Sequence, residues 1–250
     1  MSNSFRILFT ASILFAMLTS CNLGKSDNTT DPTEEEKAEA IKETLKQGLN
    51  KAIATLSSKD GFLGDDTLKI ALPEEFQSVI ENIKKLPMGN VLIDNAVKQI
   101  NQVAGSSVEA AAPIINAAID SMSVDDVNRI LLADSAAATE YLEKVSRKPI
   151  QTACEPIVTQ SLDKAILGNI TTRSALNAIV ASYNNLADSN VGSITKLKPV
   201  EEELDKFVTE KMLDAVFYLI AKEEMNVRKH PGVRISKSMA KSFGWIDKKK

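Results

Sequence analysis

The chain has 250 residues, of which 44% are hydrophobic and 25% charged, and its formal net charge is −3, a composition typical of a globular protein. The near-neutral charge argues against a non-specific nucleic-acid binder, which needs a broad basic surface. One histidine and two cysteines are too few for a zinc ribbon, a multi-histidine metal centre or a disulfide framework.

Residues 1–20 have the pattern of an export signal. A short segment with one cationic side chain precedes residues 7–17 (ILFTASILFAM), an uncharged apolar run that is too short to span a membrane. The next residues, Leu18-Thr19-Ser20-Cys21, resemble the bacterial lipobox, whose cysteine is lipidated and exposed by cleavage. We therefore predict a lipoprotein signal peptide over residues 1–20 and lipidation at Cys21. The alternative is an ordinary secretory peptide that contains a cysteine.

Lipidation at Cys21 predicts where the protein resides. Two or three acyl chains anchor a protein stably, whereas a single chain holds it reversibly. We expect an exported protein anchored to a membrane of the bacterial envelope, with the outer membrane as its site and the periplasmic or surface face left open. Residues 21–33, which continue as NLGKSDNTTDPT, are predicted to be a disordered tether. Residues 34–250 are predicted to form one helical domain.

The first predicted helices follow the tether. Thr33 and Glu36 have the spacing of a capping box, and apolar residues then recur at helical spacing at Ile41, Leu45, Leu49, Ile53 and Leu56. Residues 57–72 break this pattern with glycines and aspartates. Pro73 then starts a second helix with inward-facing Phe76, Val79, Ile80 and Ile83.

The middle of the chain predicts several shorter helices. One covers residues 90–104 and is ended by Gly105, and an alanine-rich helix follows from Ser107, which Pro113 must kink or restart. Ser123 and Asp126 cap a short helix that carries Val127, Ile130 and Leu131. Further helices contain Tyr141, Leu142 and Val145, then residues 149–167 and 171–186, before a loop over residues 187–198.

The last long helix, residues 199–228, has the widest apolar surface of the chain. Its apolar arc consists of Leu204, Phe207, Val208, Met212, Ala215, Val216, Leu219 and Ile220, with Leu213 and Phe217 beyond it. Such width indicates burial on more than one side, as expected for a central helix. A His230-Pro231-Gly232 turn and a short helix ending near Phe243-Gly244 follow. Because no segment favours a strand, we predict an all-α fold, a single multi-helix bundle with a long central C-terminal helix.

Several of these segments together resemble one family, the bacterial proteins grouped as domain of unknown function 4197. The resemblance runs from about Ile41 to Gly244 and implies a helical, exported, often lipidated protein without a known activity. It differs from its relatives at Ala133-Asp134-Ser135-Ala136, which stands where they have a turn richer in glycine and aspartate. The motifs are KDGFL at 59–63, IALP at 70–73, ATEYL at 138–142, VTEKMLDAVFY at 208–218 and then Glu223, Glu224, Arg228, Pro231, Arg234, Phe243 and Gly244.

Four acidic residues of the last long helix fall within an arc of about 80° at helical spacing. Clustered carboxylates of this kind bind cations or divide acid and base roles when burial separates their pKa values. The alternative, which we favour, is a solvated acidic face beside Lys206 and Lys211, although Phe217 in the same arc suggests partial burial. The four residues are Glu203, Glu210, Asp214 and Glu224.

Three other features are candidate binding or catalytic sites. The loop from Asp60 to Asp66 offers oxygen ligands for calcium, but it lacks EF-hand spacing. We predict instead a structured turn that packs Phe62 and Leu63 on the bundle. We predict that Cys154 is a small buried side chain and not a nucleophile. His230, in an exposed turn, is a poor base for a catalytic triad.

Basic residues concentrate at the C-terminus. They would either touch anionic headgroups beside the lipid anchor or form a solubilising tail, and we favour the tail. A nucleic-acid partner is not expected, because export separates the protein from cytoplasmic DNA. The residues are Arg228, Lys229, Arg234, Lys237, Lys241 and 248–250.

The sequence therefore predicts a lipid-anchored, non-enzymatic interaction module with an unknown envelope protein as partner and an undetermined oligomeric state. The alternatives are a carrier of a lipid or small apolar ligand and, third, a metal-assisted hydrolase that uses the carboxylate arc. No catalytic residue, metal ligand or cofactor is assigned. The predicted ligand or partner surface consists of Asp60, Phe62, Glu210, Asp214, Phe217, Glu224, Arg228 and Arg234.

Overall fold

The computed structural model describes residues 31–73, 77–85, 89–123, 127–133, 136–167, 169–190 and 203–249. The predicted signal peptide, Cys21 and the tether up to residue 30 lie outside these residues. So do Phe76, Asp126 and most of the predicted loop at 187–198.

The described residues form a bundle of helices, which confirms the predicted all-α fold. The chain runs through α1 (Glu34–Leu56), α2 (Gln77–Lys84), α3 (Gly89–Ser121), α4 (Val127–Leu132), α5 (Ala137–Leu162), α6 (Thr172–Ala187), α7 (Leu204–Lys229) and α8 (Lys237–Asp247). Between α5 and α6, the short antiparallel strands β1 (Ala165–Leu167) and β2 (Ile170–Thr171) form a hairpin that the sequence analysis missed. Each described helix is too short or too polar to cross a bilayer.

Helix α1 begins as its sequence predicts. The Glu36 N–H donates to Thr33 Oγ1 at 3.2 Å, and the Thr33 N–H donates to Glu36 Oε2 at 2.9 Å, which completes a capping box. In the predicted apolar stripe, Ile41, Leu45, Leu49 and Leu56 are buried and Ile53 is partly buried against the core. This face packs against α3, α7 and α8.

Helix α7 is the central helix of the bundle, as its wide apolar surface predicts. It packs against α1, α3 and α5 and is buried over most of its circumference. Its backbone approaches α1 closely, because a Cβ atom at Gly48 would lie only 3.0 Å from the Cα atom of Ile220. Glycine at position 48 therefore allows the two helices to cross at short distance.

Two predicted helix breaks are wrong. Helix α3 continues through Gly105, where a Cβ atom would lie 3.0 Å from the Leu56 carbonyl oxygen, so this glycine allows close packing and does not end the helix.

Prolines do not end these helices either. Helix α5 continues through Pro149 and Pro156, and α3 continues through Pro113. All three prolines are exposed, as are the residues four positions before them, so water can satisfy the carbonyl groups that lose a helical partner.

The C-terminal part follows α7 through an exposed turn. His230 is exposed, and a 3₁₀ turn covers Pro231–Val233, as the sequence predicts. Helix α8 then runs to Asp247, beyond the predicted end near Gly244, and buries Phe243 against the bundle.

Candidate functional site

The acidic arc of α7 does not form one solvated face. Glu203 and Asp214 are exposed and Glu210 is half-buried, but Glu224 is fully buried and Phe217 is 3% exposed. The expectation of a solvated acidic face is therefore wrong for Glu224. Glu223 and Glu224 instead belong to two structural clusters, and Glu210 and Asp214 lie in an open cleft.

The first cluster caps a helix to which it does not belong. Helix α5 begins at Ala137, and its own N-cap residue supplies no side-chain hydrogen bond. The Glu224 carboxylate of α7 accepts hydrogen bonds from the N–H groups of Ala138 at 3.0 Å and Thr139 at 2.8 Å, and from Thr139 Oγ1 at 2.7 Å. A carboxylate at this position satisfies free N–H groups and complements the helix dipole.

Arg228 completes this cluster at the end of the preceding helix. Its guanidinium pairs with Glu224 at 2.7 Å and donates to the carbonyl oxygens of Ile130, Leu131 and Ala133 at 2.8 to 3.0 Å. These carbonyls lie at the C-terminal end of α4, which has no partner for them in its own helix. Glu224 and Arg228 together fasten the connection between α4 and α5.

Arg234 acts similarly at the end of α7. It donates to the carbonyl oxygens of Val227 at 3.1 Å and Arg228 at 3.2 Å, and it pairs with Asp247 at 2.6 Å. The Phe243 ring lies between the two arginines, at 5.5 and 5.6 Å from their guanidinium carbons. Because these side chains are 9% and 3% exposed, the predicted tail or headgroup role is wrong for both arginines.

The second cluster surrounds Glu223, which is 5% exposed and which the sequence analysis named only as part of the family motif. Its carboxylate accepts hydrogen bonds from Lys51 at 2.6 Å, Gln47 at 2.8 Å and Asn226 at 3.1 Å. Burial raises the pKa of this carboxyl, but the hydrogen bonds, that from Lys51 first, outweigh burial and lower the pKa below its ordinary value. Glu223 therefore links α7 to α1 in its charged form.

An open cleft of about 790 Å³ lies between α7 and residues 67–73. It contains Glu210 and Asp214, the two arc carboxylates that are neither buried nor at the helix start. Tyr218, which the sequence analysis missed, lies on the same wall and is 44% exposed. The α7 wall consists of Phe207, Glu210, Lys211, Asp214, Ala215 and Tyr218.

The cleft carboxylates are held by side chains of α5. Asp214 forms ion pairs with Arg147 and, at 3.5 Å, with Lys211. Burial lowers the pKa of Arg147, but its bonds to Asp214 and then to Glu143 outweigh burial and raise it. Glu210 accepts a hydrogen bond from Gln151 at 3.0 Å. These contacts fix both carboxylates in place.

In the part of the chain that the structure describes, no group of three or more histidine, cysteine, aspartate or glutamate side chains is placed to hold a metal ion. Asp214 is paired with Arg147, and Glu210 accepts a hydrogen bond from Gln151.

The Asp60 loop is the structured turn that the sequence predicts. Phe62 is 2% exposed and belongs to the core, while Asp60 is exposed. A Cβ atom at Gly61 would lie 2.2 Å from the carbonyl oxygen of Thr55, so only glycine fits against the end of α1. The loop and α3 enclose a smaller pocket of about 190 Å³.

Cys154 is fully buried, as predicted. Burial raises the pKa of its thiol to about 11, so the side chain is a neutral thiol near neutral pH. A thiol in this environment packs as a small apolar group.

Two parts of the cleft could have been found from the sequence. Tyr218 lies four residues after Asp214 and seven after Lys211, which places the three on one face of a helix. The other wall carries buried Leu68, Ile70 and Leu72 in strict alternation, a strand pattern. Their meeting across a cleft depends on long-range packing that no local pattern reports.

A family model described as "Protein of unknown function (DUF4197)" matches residues 31–244. The match covers both polar clusters and the whole cleft. No curated protein and no solved structure matches the chain.

Proposed function

The chain belongs to the DUF4197 family of proteins of unknown function, and from this premise we propose that it is a lipid-anchored interaction module of the bacterial envelope. In this proposal, lipid at Cys21 holds the protein on the membrane. The helical domain binds a segment of a partner protein in the cleft between α7 and residues 67–73 and catalyses no reaction.

The proposed anchor rests on the amino-acid sequence. Leu18-Thr19-Ser20-Cys21 follows an apolar run of signal-peptide length. Residues 22–30 separate Cys21 from the described domain and, when fully extended, span roughly 30 Å.

The use of the buried charged groups supports an interaction role. Three buried charged residues hydrogen-bond to helix ends or to neighbouring helices: Glu223, Glu224 and Arg228. Cys154 is buried, and His230 is exposed in a turn. The two acidic residues, the arginine and the cysteine are therefore committed to the fold, and the histidine lies apart from them.

The observation that carries the proposal is the cleft itself. It is open to solvent, and its walls mix apolar side chains such as Phe207 with charged side chains such as Lys211. A carrier of an apolar ligand needs an enclosed apolar cavity instead. A mixed, open cleft suits a polypeptide segment, which has both apolar and polar parts.

Site-specific photocrosslinking in the native host tests this proposal. A photoreactive benzoylphenylalanine replaces Tyr218 in the cleft or, as the control, Val145 on α5, which is 50% exposed and does not line the cleft. We expect illumination to join a discrete partner protein to the Tyr218 position and not to the Val145 position.

Equal adducts at both positions, or none at Tyr218, would contradict the proposal. Native mass spectrometry of the purified chain tests the carrier alternative separately. A reproducible extra mass of lipid size that denaturation removes would favour a carrier over an interaction module.

A further inference from the structure

One wall of the cleft is a non-helical segment with the burial pattern of a β-strand. It follows a turn in which the Leu68 N–H donates to the Asp65 carbonyl oxygen, and along it Ile70 and Leu72 are buried, whereas Lys69 and Ala71 are exposed. The segment forms no backbone ladder with another strand in the described part of the chain.

One edge of this segment is already satisfied by a side chain. The Asn101 amide of α3, 3% exposed, accepts from the Ile70 N–H at 2.9 Å and donates to the Ile70 carbonyl oxygen at 2.7 Å. These are the two hydrogen bonds that a residue of a neighbouring antiparallel strand would make. Asn101 thus replaces a strand on the side away from the cleft.

The peptide groups of Ala71 lie on the opposite edge of the segment. Because peptide groups of consecutive residues in an extended chain point to opposite sides, the N–H and C=O of Ala71 point away from Asn101. Ala71 lines the cleft and Asn101 does not. Among the residues that the structure describes, no hydrogen bond reaches either peptide group of Ala71.

The neighbours of Ala71 fix where an added strand can pair. The Lys69 N–H donates to the Asp65 carbonyl oxygen at 2.9 Å, and Pro73 has no N–H. On this edge of residues 69–73, Ala71 therefore offers both a free donor and a free acceptor, and the residues on either side do not. A partner strand would be registered on this residue.

The charges at this edge favour an acidic partner. Lys69 has no ion-pair partner in the ranges that the structure describes, and Lys211 across the cleft is 3.5 Å from Asp214. Asp214 is also paired with Arg147, which in turn pairs with Glu143, and Glu210 lines the same cleft, so Lys69 is the cleft lysine without an ion pair among the described residues. A carboxylate on the partner would pair with Lys69.

We propose that an extended segment of the partner protein adds to residues 69–72 as a β-strand, exchanges two hydrogen bonds with Ala71 and places a carboxylate side chain near Lys69. This inference rests on the proposed function, which puts a partner in the same cleft, and it assigns the mode of binding. Strand addition of this kind takes its affinity from main-chain hydrogen bonds.

The test uses the full chain, purified in mild detergent, and random peptides displayed on phage as the probe. Selected peptides are measured by fluorescence anisotropy against the unaltered chain, Ala71→Pro and Ala71→Ser. Proline removes the N–H donor, whereas serine keeps it. We expect the selected peptides to be enriched in aspartate or glutamate. We expect Ala71→Pro to bind them roughly tenfold more weakly, the size of one hydrogen bond, and Ala71→Ser to bind like the unaltered chain.

A thermal unfolding curve shows whether Ala71→Pro is folded, which we expect because the lost N–H has no partner among the described residues. If Ala71→Pro is unfolded, amide hydrogen exchange in the unaltered chain tests strand addition instead. A peptide that pairs with Ala71 must slow exchange of the Ala71 N–H. Peptides that bind Ala71→Pro with unchanged affinity, or that leave exchange at Ala71 unchanged, overturn strand addition. Such peptides leave the proposed function standing when Tyr218 still crosslinks a partner. A selection without any peptide, together with an absence of crosslinks at Tyr218, overturns both.

Discussion

The carboxylate of Glu224 lies 3.0 Å from the backbone nitrogen of Ala138 and supplies the N-terminal cap of a helix that begins 87 positions earlier in the chain. Helix α5 therefore depends on α7 for the satisfaction of its first N–H groups. Arg228, one turn further along α7, does the same for the end of α4. Two side chains one turn apart on α7 thus hold the end of α4 and the start of α5.

We predict that Glu224→Gln destabilises the protein by about 3 kcal/mol, because Arg228 is then left buried with an uncompensated charge. Urea unfolding followed by circular dichroism measures the effect. Glu203→Gln is the matched control, since Glu203 is exposed and its ion pair with Lys206, at 3.2 Å, is also exposed. The control is expected to change the free energy of unfolding by less than about 0.5 kcal/mol.

A double-mutant cycle of Glu224→Ala and Arg228→Ala extends this prediction. The double variant is expected to lose about 1–3 kcal/mol less stability than the sum of the single variants, because neither charge remains unpaired. Additive losses would show that the two side chains stabilise the helix ends independently.

We predict that Glu223 makes a pH-dependent contribution to the stability of the fold. Its pKa is lower in the folded protein than in the unfolded chain, so the charged carboxylate stabilises the fold above its unfolded pKa of about 4.3, and this contribution is lost as pH falls through the folded pKa. At neutral pH, Glu223→Gln is expected to be less stable than the unaltered chain by about 1.5–3 kcal/mol.

Urea unfolding from about pH 7 to about pH 3 checks this expectation, and the difference between the two proteins should shrink as pH falls. Glu203→Gln again serves as the control and should show no such trend. A difference that stays constant over the whole range would mean that shape, rather than charge, makes Glu223 important.

Gly61→Ala is expected to destabilise the protein by about 2 kcal/mol or more, because the added Cβ atom overlaps the end of α1. Gly232→Ala is the control, since nothing lies within 4 Å of a Cβ atom there. Thermal unfolding of both variants measures the difference. Equal midpoints would show that the Asp60 loop can shift away from α1 without cost.

Cys154 is expected to react with a thiol reagent only when the protein unfolds, because burial raises its pKa to about 11 and covers the sulfur. A chain beginning at Asn22 contains this thiol and no other cysteine. Its labelling rate near neutral pH should follow the urea unfolding curve. Fast labelling of the folded protein would reveal local opening of α5.

Cys21→Ser is expected to abolish incorporation of labelled palmitate and to release the protein from the membrane fraction, because the serine side chain has no sulfur to carry lipid. Cys154→Ser, which leaves Cys21 in place, is the control and should still incorporate palmitate. Incorporation that survives the change at Cys21 would contradict the predicted lipobox.

The sequence was most informative where a local pattern decides the structure. Thr33 and Glu36 form the predicted capping box, and the breadth of apolar residues on α7 correctly predicted a central helix. Both features depend on side-chain chemistry within a few turns of one helix.

Local signals failed where distant parts of the chain meet. Gly105 and Pro149 have the ordinary character of helix breakers, but contact with α1 explains the first and solvent exposure accommodates the second. Glu224 shares its arc with the exposed Glu203, and it is buried only because the start of α5 lies there. The cleft has the same origin, since its two walls are more than a hundred residues apart.

The packing of α1 against α7 and α8 also determines when the protein can fold. The Lys241 ammonium of α8 pairs with Glu36 at 2.6 Å, and Ser242 donates to the Glu36 carbonyl oxygen at 3.3 Å. A chain that emerges with its N-terminus first must therefore leave the part of α1 that α7 and α8 cover exposed until its last helices have been made. The incomplete chain is an aggregation risk throughout that interval, and a chaperone that shields α1 would protect it until the two ends meet.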